Sequence, residues 1–400
     1  MKFAIISHVL PPSWSGQAMI LFKLLKDVNP SDYILISRED YMTDNIQNFS
    51  NKLPGKYYSL PRLFPNVEII NKGINKLKKK LNIPQFLQIK VYFKTNQIIK
   101  IMKKENPHAI IVCTGDLIDL PAAYNASKKL KIPIYPYIFD YYSYQWTIPK
   151  ERAFAKSHEE IILKDSANII VTNEFMQKEL NAVYGINSTI VYNCIDSNIK
   201  LNYIDHWPSN EDEIRIVYTG AIYRAHYDAF QNLVKAINSL TEENVNLYLY
   251  TNQSKEWLTK QQISGKVVHH NYVTLIESLE IQKKADILFL PLAFNTDFPE
   301  VIKTSMPGKM GEYLASGRPI LVHASKDSFV SWYFKKNNCG VVVDEENSLE
   351  LEKAIHKIID DKDFRKNIVQ NALRCAHDDF SIEKARKNFF QAIKYEGGLS

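Results

Sequence analysis

The sequence predicts an α/β protein with two Rossmann-like domains, each a doubly wound parallel sheet, that face each other across a cleft. Three observations predict this fold class. The chain has 400 residues, 45% of them hydrophobic, which is enough for two cores. Short apolar runs alternate with helical patterns in both halves of the chain. A polar stretch of about twenty residues interrupts this alternation near the middle.

The first series opens with a predicted strand from Phe3 to His8, a loop rich in Pro, Ser and Gly, and a helix from Gln17 to about Lys26. Further strands are predicted at Ala109 to Cys113, Ile132 to Phe139, Ala167 to Thr172 and Ser188 to Tyr192. Helical patterns separate most of these runs, for example Leu120 to Leu130 and Glu174 to Tyr184. Strands that alternate with helices favour parallel pairing, so we expect residues 1–196 to form the first domain.

Residues 197–213 have no clear periodicity and are the predicted linker. A second series of strands follows at Ile214 to Thr219, Leu247 to Tyr250, Lys266 to His270, Ile287 to Pro291, Ile320 to His323 and Gly340 to Val343. Helical patterns then run from Leu349 to Asp360, Asp363 to His377 and Ile382 to Tyr395. We therefore expect a second domain at 214–380 and a C-terminal helix, 381–400, that crosses back to the first. The ligand groove is expected between the two sheets.

Charge and cysteine usage limit the functional classes. The net charge of +6 is modest, and we expect no nucleic-acid partner. Cys113, Cys194, Cys339 and Cys375 show no metal-ligand spacing, which is typical of a reducing compartment without disulfides or zinc. The apolar run from Phe3 to Ile6 is too short for a secretion signal, and no run approaches the ~20 apolar residues of a membrane span. We expect a cytoplasmic protein, or one peripheral on the inner face of a membrane.

Basic charge is concentrated in the segment from Lys72 to Lys104. It contains ten lysines, at positions 72, 76, 78, 79, 80, 90, 94, 100, 103 and 104. Apolar and aromatic residues such as Tyr92 and Phe93 lie between them. This pattern predicts either a face that rests on anionic lipid or an ordinary pair of surface helices with solvated lysines.

The segment from Ser305 to Ile320 predicts a ligand site. Pro307 can begin a helix without wasting a backbone donor, and Gly308 lets a ligand approach the main chain. The amides of that first turn then form an anion site. Lys309 adds a mobile positive charge for a phosphate, and the carboxylate of Glu312 is suited to the paired hydroxyls of a ribose. From these residues alone, a solvated surface pair after a turn is an equal alternative.

The order of several motifs resembles that of the GT-B glycosyltransferases, and it is most similar to the large retaining branch called group 1. These motifs are the N-terminal strand-loop-helix region, Asn193 to Asp196, Thr219 to Arg224, Ala285 to Leu292 and Pro307 to Pro319. The resemblance is strong from Ile214 to Asp360 and is mostly an ordering of elements before that. It implies that the C-terminal domain binds the nucleotide of an activated sugar and that the N-terminal domain receives the acceptor.

Carried over by motif, the resemblance implies roles for individual residues. Gly220 would lie where the backbone meets the diphosphate, and Arg224 would neutralise it. Glu312 would hold the ribose hydroxyls, and Ser305 to Lys309 would form the phosphate end of the pocket. Val273 lies in the loop that packs on the base in such enzymes.

Two positions depart from the family pattern. The family often has a glutamate that contacts the transferred sugar, eight positions before the ribose glutamate, and this chain has Thr304 there, with Glu300 nearby but out of register. A lysine that commonly follows the first arginine is replaced by Asp228 and Phe230. We expect Lys309 to supply the missing charge.

Cleavage of the bond from sugar to diphosphate leaves negative charge on the leaving oxygen, and fixed donors aimed at that charge are usually the largest catalytic contribution. Arg224, Lys309 and the helix amides are the candidate donors. Because three positive elements converge, we expect no metal, and no cofactor besides the nucleotide sugar that serves as the donor substrate. The Asp361-Lys362-Asp363 sequence is interpreted as a solvated turn.

In the first domain, His8 and Asp140 each end a predicted strand and are expected to point into the groove. Either would orient the acceptor hydroxyl or take its proton. Trp14, Gly16 and Tyr142 are candidate acceptor-binding residues, and packing at the rim is the alternative for each aromatic ring.

Three functions are consistent with the sequence. The first is a transferase that moves a sugar to a glycan or lipid-linked acceptor in the synthesis of a bacterial surface polysaccharide such as capsule, O-antigen or exopolysaccharide. The second is a sugar-nucleotide epimerase or an inverting GT-B transferase. The third is a catalytically inactive binding subunit of a polysaccharide-assembly complex, which the Thr304 and missing-lysine departures suggest.

Overall fold

A computed structural model describes residues 1–41, 51–61, 83–209, 212–241 and 243–397. The chain divides into two compact units, Met1–Tyr192 together with Ala385–Ser400, and Asn193–Lys384. In each unit the described strands form one parallel sheet, and helices alternate with them along the chain. The two parallel sheets confirm the predicted α/β class with two Rossmann-like units.

The first unit has a seven-stranded sheet in the order β3-β2-β1-β4-β5-β6-β7. Its strands are β1 (Phe3–Ile6), β2 (Tyr33–Ser37), β3 (Lys56–Ser59), β4 (Ala109–Cys113), β5 (Ile134–Ile138), β6 (Ile170–Val171) and β7 (Thr189–Ile190). The helices between them are α1 (Gly16–Leu25), α2 (Ile83–Glu105), α3 (Asp119–Leu130), α4 (Pro149–Asp165) and α5 (Glu174–Tyr184). Strands β1, β4 and β5 are buried along their whole length, as expected of a covered parallel sheet.

The second unit has a six-stranded sheet in the order β10-β9-β8-β11-β12-β13. Its strands are β8 (Ile214–Thr219), β9 (Val245–Tyr250), β10 (Val267–His270), β11 (Ile287–Pro291), β12 (Ile320–His323) and β13 (Val341–Val343). Its helices are α6 (Tyr227–Ser239), α7 (Lys255–Lys260), α8 (Leu275–Lys283), α9 (Pro299–Thr304), α10 (Lys309–Ala315), α11 (Phe329–Asn337), α12 (Ser348–Asp360) and α13 (Lys362–Phe380). The strand order reverses between β8 and β11, and ligands of such sheets usually bind at the carboxyl ends of strands beside this reversal.

The segment expected as a linker lies in the second unit and is fastened to it by polar contacts. Asp286, fully buried before β11, accepts hydrogen bonds from the backbone N–H of Ser209 at 2.6 Å and of Arg215 at 2.8 Å. Trp207 donates its indole N–H to the carbonyl of Asp286 at 2.9 Å, and the guanidinium of Arg365 lies 3.6 Å from the centre of the Trp207 ring. The compact units accordingly divide after Tyr192, before the expected linker.

The end of the chain belongs to the first unit. Helix α14 (Ile382–Ala392) carries Arg386, which donates to the carbonyl of Lys23 at 2.7 Å and pairs with Asp27 at 2.6 Å. The hydroxyl of Tyr395 donates to Asp32 at 2.8 Å. These contacts hold the last helix against the first unit, so this unit is assembled from both ends of the sequence.

Candidate functional site

Two predicted site residues of the second unit meet at the end of β8. Gly220 follows this strand with φ of +124°, a conformation that favours glycine. Lys309 donates from Nζ to the carbonyl of Thr219 at 2.8 Å, and the same Nζ lies 3.7 Å from the centre of the Tyr218 ring. A Cβ atom at position 220 would lie 2.9 Å from this Nζ. The lysine and the open backbone that the sequence assigned to a diphosphate are therefore neighbours.

The amino group of Lys309 lies in poorly solvated surroundings. Burial lowers the pKa of its ammonium group to about 7, and the opposing effect of the Glu312 carboxylate is smaller. Its contacts at Thr219 and Tyr218 are with a carbonyl and an aromatic face. In the part of the chain that the structure describes, no carboxylate lies within ion-pair distance of Nζ. An anionic ligand would therefore meet a lysine that has no carboxylate partner among the described residues.

Helix α10 packs against the protein through the face that carries Gly311. Gly311 packs so closely there that a Cβ would lie 2.9 Å from both Ile195 and Phe380. The amide of Asn193 donates to the carbonyl of Met306 at 2.8 Å and holds the chain just before the helix. The helix begins at Lys309 rather than at Pro307, because Pro307 supplies only the carbonyl that accepts from the backbone N–H of Met310.

A groove of about 290 Å³ runs beside Glu312. Its apolar lining consists of Ile199, Leu275, Ile276, Leu279 and Ala315. Its other lining residues are Asp196, Asn198, Glu280, Gln282, Lys283 and Ser316. The amide of Gln282 donates to the hydroxyl of Thr219 at 3.1 Å and so links the groove to the end of β8. An apolar wall next to a carboxylate suits a nucleoside.

The remaining candidates of this unit lie on its loops. Arg224 is exposed, and its guanidinium lies 4.6 Å from the centre of the Phe298 ring. Val273 is half-buried next to Thr274, whose side chain caps helix α8. Ser305 is half-buried at the end of α9. Gly308 is exposed, with open space around the position of a Cβ.

The two departures from the family pattern have structural explanations. Thr304 is 1% exposed, and its hydroxyl donates to the carbonyl of Glu300 at 3.0 Å, so its side chain faces the protein. Asp228 accepts from the backbone N–H groups of Phe294 at 2.9 Å and Asn295 at 2.7 Å. The carboxylate of Asp228 thus holds the loop after β11, and position 228 is occupied by a structural residue.

Residues 213–361 match the family model described as glycosyl transferases group 1. The chain contains a group 1 glycosyltransferase domain. The match lies within the second unit, and the two parallel sheets have the GT-B fold of solved glycosyltransferases. No curated protein sequence matches the chain.

Solved structures share the whole fold of this glycosyltransferase. Sucrose-phosphate synthase from Thermosynechococcus elongatus has a TM-score of 0.69 and 14% identity, over 98% of this chain and 98% of its own. HepE from Anabaena, solved with UDP and glucose, has a TM-score of 0.66 and 14% identity over 98% and 99%. A protein from Listeria monocytogenes named as a UDP-N-acetylglucosamine 2-epimerase has a TM-score of 0.61 and 15% identity over 98% and 95%. At these identities the likeness establishes the fold alone.

In the first unit of the glycosyltransferase, two candidates adjoin the turn after β4. His8 is half-buried and packs against Gly115, where a Cβ would collide with its ring. Its Nδ1 is enclosed without a partner among the described residues, and burial lowers the pKa of this imidazole. Asp140 is exposed after β5, and its carbonyl accepts from the hydroxyl of Thr114 at 3.1 Å.

The three acceptor-binding candidates are in different environments. Trp14 is 47% exposed, and Gly16 is the first residue of α1 with open space beside it. Tyr142 is fully buried, and its hydroxyl donates to the carbonyl of Leu117 at 2.7 Å. In this structure the ring of Tyr142 is part of the core and is not offered to a ligand.

The lysine-rich segment falls partly outside the described residues, because positions 72 to 80 are not described. Within α2, Tyr92 and Phe93 are 60% and 47% exposed, and Lys100, Lys103 and Lys104 are exposed. Lys94 is 7% exposed and pairs with Asp119, so it is not one of the surface lysines that the sequence predicts. None of the helices in the described ranges is long and apolar enough to span a membrane.

Sequence reasoning missed His226, which lies at the start of α6 just beyond the Thr219 to Arg224 motif. It is 8% exposed, and burial together with the charge of Lys309 lowers its pKa to about 3. A histidine two residues after the arginine of a recognised motif is a signal that the sequence did contain. Asp361, by contrast, accepts from the backbone N–H of Phe364 at 2.9 Å and caps helix α13.

Proposed function

We propose that this glycosyltransferase moves a sugar from a nucleoside diphosphate sugar to a glycan or lipid-linked acceptor, without a metal ion, in the synthesis of a bacterial surface polysaccharide. The observation that carries the proposal is the meeting of Gly220 and Lys309 at the end of β8, with Glu312 less than one turn further along α10. The open backbone receives the diphosphate, the lysine balances its charge, and the carboxylate accepts from the ribose hydroxyls.

In this mechanism the bond between the anomeric carbon and the diphosphate oxygen breaks, and the electron pair stays with the diphosphate. Lys309 and Arg224 donate to the oxygens on which this charge grows. Lys309 is well suited to this role because it is not already paired with a carboxylate in the described residues. The loop that Asp228 holds after β11 carries Phe298, on which the guanidinium of Arg224 rests.

Acceptor activation is proposed for the first unit. His8 and Asp140 both adjoin the turn of Thr114 and Gly115 at the carboxyl end of β4. A neutral His8 imidazole would take or share the proton of an acceptor hydroxyl, and exposed Trp14 would stack on a sugar ring. The structure of Tyr142 favours a packing role for that residue.

Uridine diphosphate sugars are the first donors to test, since HepE of the same fold was solved with UDP and glucose. Thermal shift and ligand-observed NMR with UDP, GDP, ADP and CMP, followed by their sugar conjugates, would identify the base. We expect one nucleoside diphosphate to stabilise the wild type and to lose its effect in Lys309→Ala and Glu312→Ala. Nucleotide binding that is unchanged in both variants would overturn the proposed site.

The reaction type needs its own measurement, because a named epimerase is among the proteins that share this fold. The selected sugar nucleotide is incubated without an acceptor and followed by NMR of the anomeric proton. A transferase leaves the sugar nucleotide intact or hydrolyses it slowly. Conversion into an isomeric sugar nucleotide would instead establish the epimerase, and the anomer formed with an acceptor would distinguish retention from inversion.

A lipid-linked acceptor is supported by the exposed face of α2. Tyr92 and Phe93 are exposed there, and Lys100 is exposed about two turns further along the helix. The ammonium of Lys129 lies 5.9 Å from the centre of the Tyr92 ring. Aromatic rings bordered by lysines favour an anionic lipid surface. Flotation with vesicles containing phosphatidylglycerol is expected to capture the wild type and to recover less of a Tyr92→Ser/Phe93→Ser variant. Equal recovery of both would remove this surface from the proposal.

A further inference from the structure

We propose that His226 is a donor-binding residue, which contributes its Nε2–H to a diphosphate oxygen of the sugar nucleotide beside Lys309. The inference rests on the proposed function and adds to it a neutral hydrogen-bond donor that no motif supplied. It is carried by the position of the ring, the enclosure of one ring nitrogen and the lack of a side-chain hydrogen bond to any described residue.

The ring of His226 lies near Lys309, at the end of β8. Its centre is 6.0 Å from that of Tyr218, the ring on which the Lys309 ammonium rests. Tyr223 covers another side of the imidazole, with ring centres 4.4 Å apart. The imidazole of His226 and the ammonium group of Lys309 therefore both pack against the ring of Tyr218 at the end of β8.

His226 is also the residue that precedes α6, a helix of thirteen residues. Its carbonyl accepts the first helical hydrogen bond from the backbone N–H of Phe230 at 3.1 Å, but its side chain does not cap the helix. The unpaired N–H groups of a helix start attract anions. The imidazole thus lies where an anion is already favoured by the backbone.

His226 is buried, but its ring nitrogens make no hydrogen bond with the described residues. It is 8% exposed, its Nδ1 is enclosed without a partner, and within the described chain neither ring nitrogen makes a hydrogen bond. Buried polar groups nearly always have partners, and each exception needs an explanation. His323 in the same unit provides the contrast, because its Nδ1 meets the carbonyl of Val343 at 2.9 Å and its Nε2 meets Asn232 at 3.2 Å.

The tautomer follows from these surroundings. A neutral imidazole has one N–H and one lone pair. Nδ1 is the enclosed nitrogen, which leaves Nε2 as the nitrogen able to meet a ligand, and we therefore assign the proton to Nε2. A phosphate oxygen accepts from this N–H, and the ring needs no charge of its own to bind it. The diphosphate would then be held by a cation, a neutral donor and the helix start together.

The test compares full-length His226→Phe and His226→Gln with the wild type, using UDP as the probe. Phenylalanine keeps the ring volume against Tyr218 and Tyr223 without a donor, whereas glutamine retains a donor N–H at similar reach. His356→Gln is the matched control, because His356 is 40% exposed and pairs with Glu243 at 3.2 Å. Calorimetry is expected to show a loss of UDP affinity of about ten- to a hundredfold for His226→Phe, with most of it recovered in His226→Gln.

A spectroscopic readout keeps the inference testable if His226→Phe does not fold. Histidine-labelled wild type is titrated with UDP, and the long-range proton–nitrogen spectrum is assigned with His226→Gln. We expect a neutral ring, protonated at Nε2, whose Nε2 resonance shifts at saturation while that of His323 does not.

Unchanged UDP affinity in folded His226→Phe, or an unmoved His226 resonance at saturation, would overturn the role of His226 and leave the proposed function intact. Failure of the wild type to bind UDP, GDP, ADP or CMP would overturn both.

Discussion

Two lysines, buried Lys94 in the first unit and half-buried Lys309 in the second, have opposite surroundings. Lys94 of the first unit pairs with Asp119 and lies 3.9 Å from Asp116, which in turn pairs with Arg38 at 2.8 Å. Within the described chain, the ammonium group of Lys309 in the second unit donates to the carbonyl of Thr219 and lies over the ring of Tyr218, with no carboxylate at ion-pair distance. The two lysines lie near the carboxyl ends of strands in sheets of the same class.

The comparison distinguishes Lys94, whose charge stabilises the fold, from Lys309, whose charge is available to a ligand. Burial alone would raise the pKa of Asp116, but Lys94 and Arg38 lower it, so the carboxylate is ionised and the charges are balanced internally. At Lys309 the described residues supply no such balance, and the pKa falls to about 7 instead. A buried lysine that is already neutralised holds the fold, whereas one that is not is available to a ligand.

The largest effect is expected from removal of the structural lysine. Lys94→Met leaves the buried carboxylates of Asp116 and Asp119 without their cation, and removal of one partner of a buried ion pair costs about 3–5 kcal/mol of unfolding free energy. Urea denaturation measures the loss. The double variant Lys94→Met/Asp119→Asn is expected to recover part of it, and a Lys94→Met protein as stable as wild type would show that the pair is dispensable.

Lys309→Met is expected to have the complementary effect. Loss of a fixed donor to the leaving group lowers the turnover of the sugar nucleotide about 10²- to 10³-fold. Since a poorly solvated cation is removed, the free energy of unfolding is expected to stay the same or to increase. Exposed Lys362→Met is the matched control. If Lys309→Met instead unfolds and Lys94→Met loses only turnover, the assignment of the two lysines is reversed.

Gly220→Ala tests the backbone beside Lys309. An alanine at φ of +124° is strained by about 1–3 kcal/mol, and its Cβ would press on Nζ of Lys309. We expect a lower melting temperature and weaker nucleotide binding. Gly16→Ala is the control for stability, because its Cβ meets open space at the first position of α1. Equal melting temperatures for the two variants would argue against strain at position 220.

The smallest expected effect is a proton taken up on binding. Free Lys309 has a pKa of about 7, and a bound diphosphate raises it, so binding becomes weaker as the pH rises above 7. The groups that face it are Glu312, which favours its charged form, and His226, which stays neutral. Calorimetry at pH 8 in buffers of different ionisation enthalpy is expected to detect uptake of up to about one proton. If the wild type takes up no proton on binding, Lys309 is not the group that titrates.

Much of the fold was readable from local patterns. Strand Ala109–Cys113 is a uniformly apolar run and Ile214–Thr219 a mostly apolar one, and their predicted limits agree with the structure. Strand β3 (Lys56–Ser59) was not predicted, because its four residues, Lys-Tyr-Tyr-Ser, mix polar and aromatic side chains at the edge of the sheet. Its neighbour β2 was missed as well, although its five residues are all buried.

The candidate site was predictable where it depends on backbone and neighbouring residues. Gly220 at a strand end and Lys309 followed by Glu312 are short-range features of the sequence. The structure places Gly220 next to Lys309. His226 was missed because its importance depends on the distant Lys309. Tyr142 was misplaced because a tyrosine after a strand end has the same local pattern at a rim as in a core.

The sequence by itself determined the two sheets, the order of most elements and the residues able to meet a diphosphate, since hydrophobic period, turn residues and helix starts are local properties. Only the tertiary structure decided which lysine is paired, that Asp286 fastens the expected linker to the second unit, and that the last helix belongs to the first. Those outcomes depend on groups far apart in the chain, whose burial and charge balance arise only when the cores are packed.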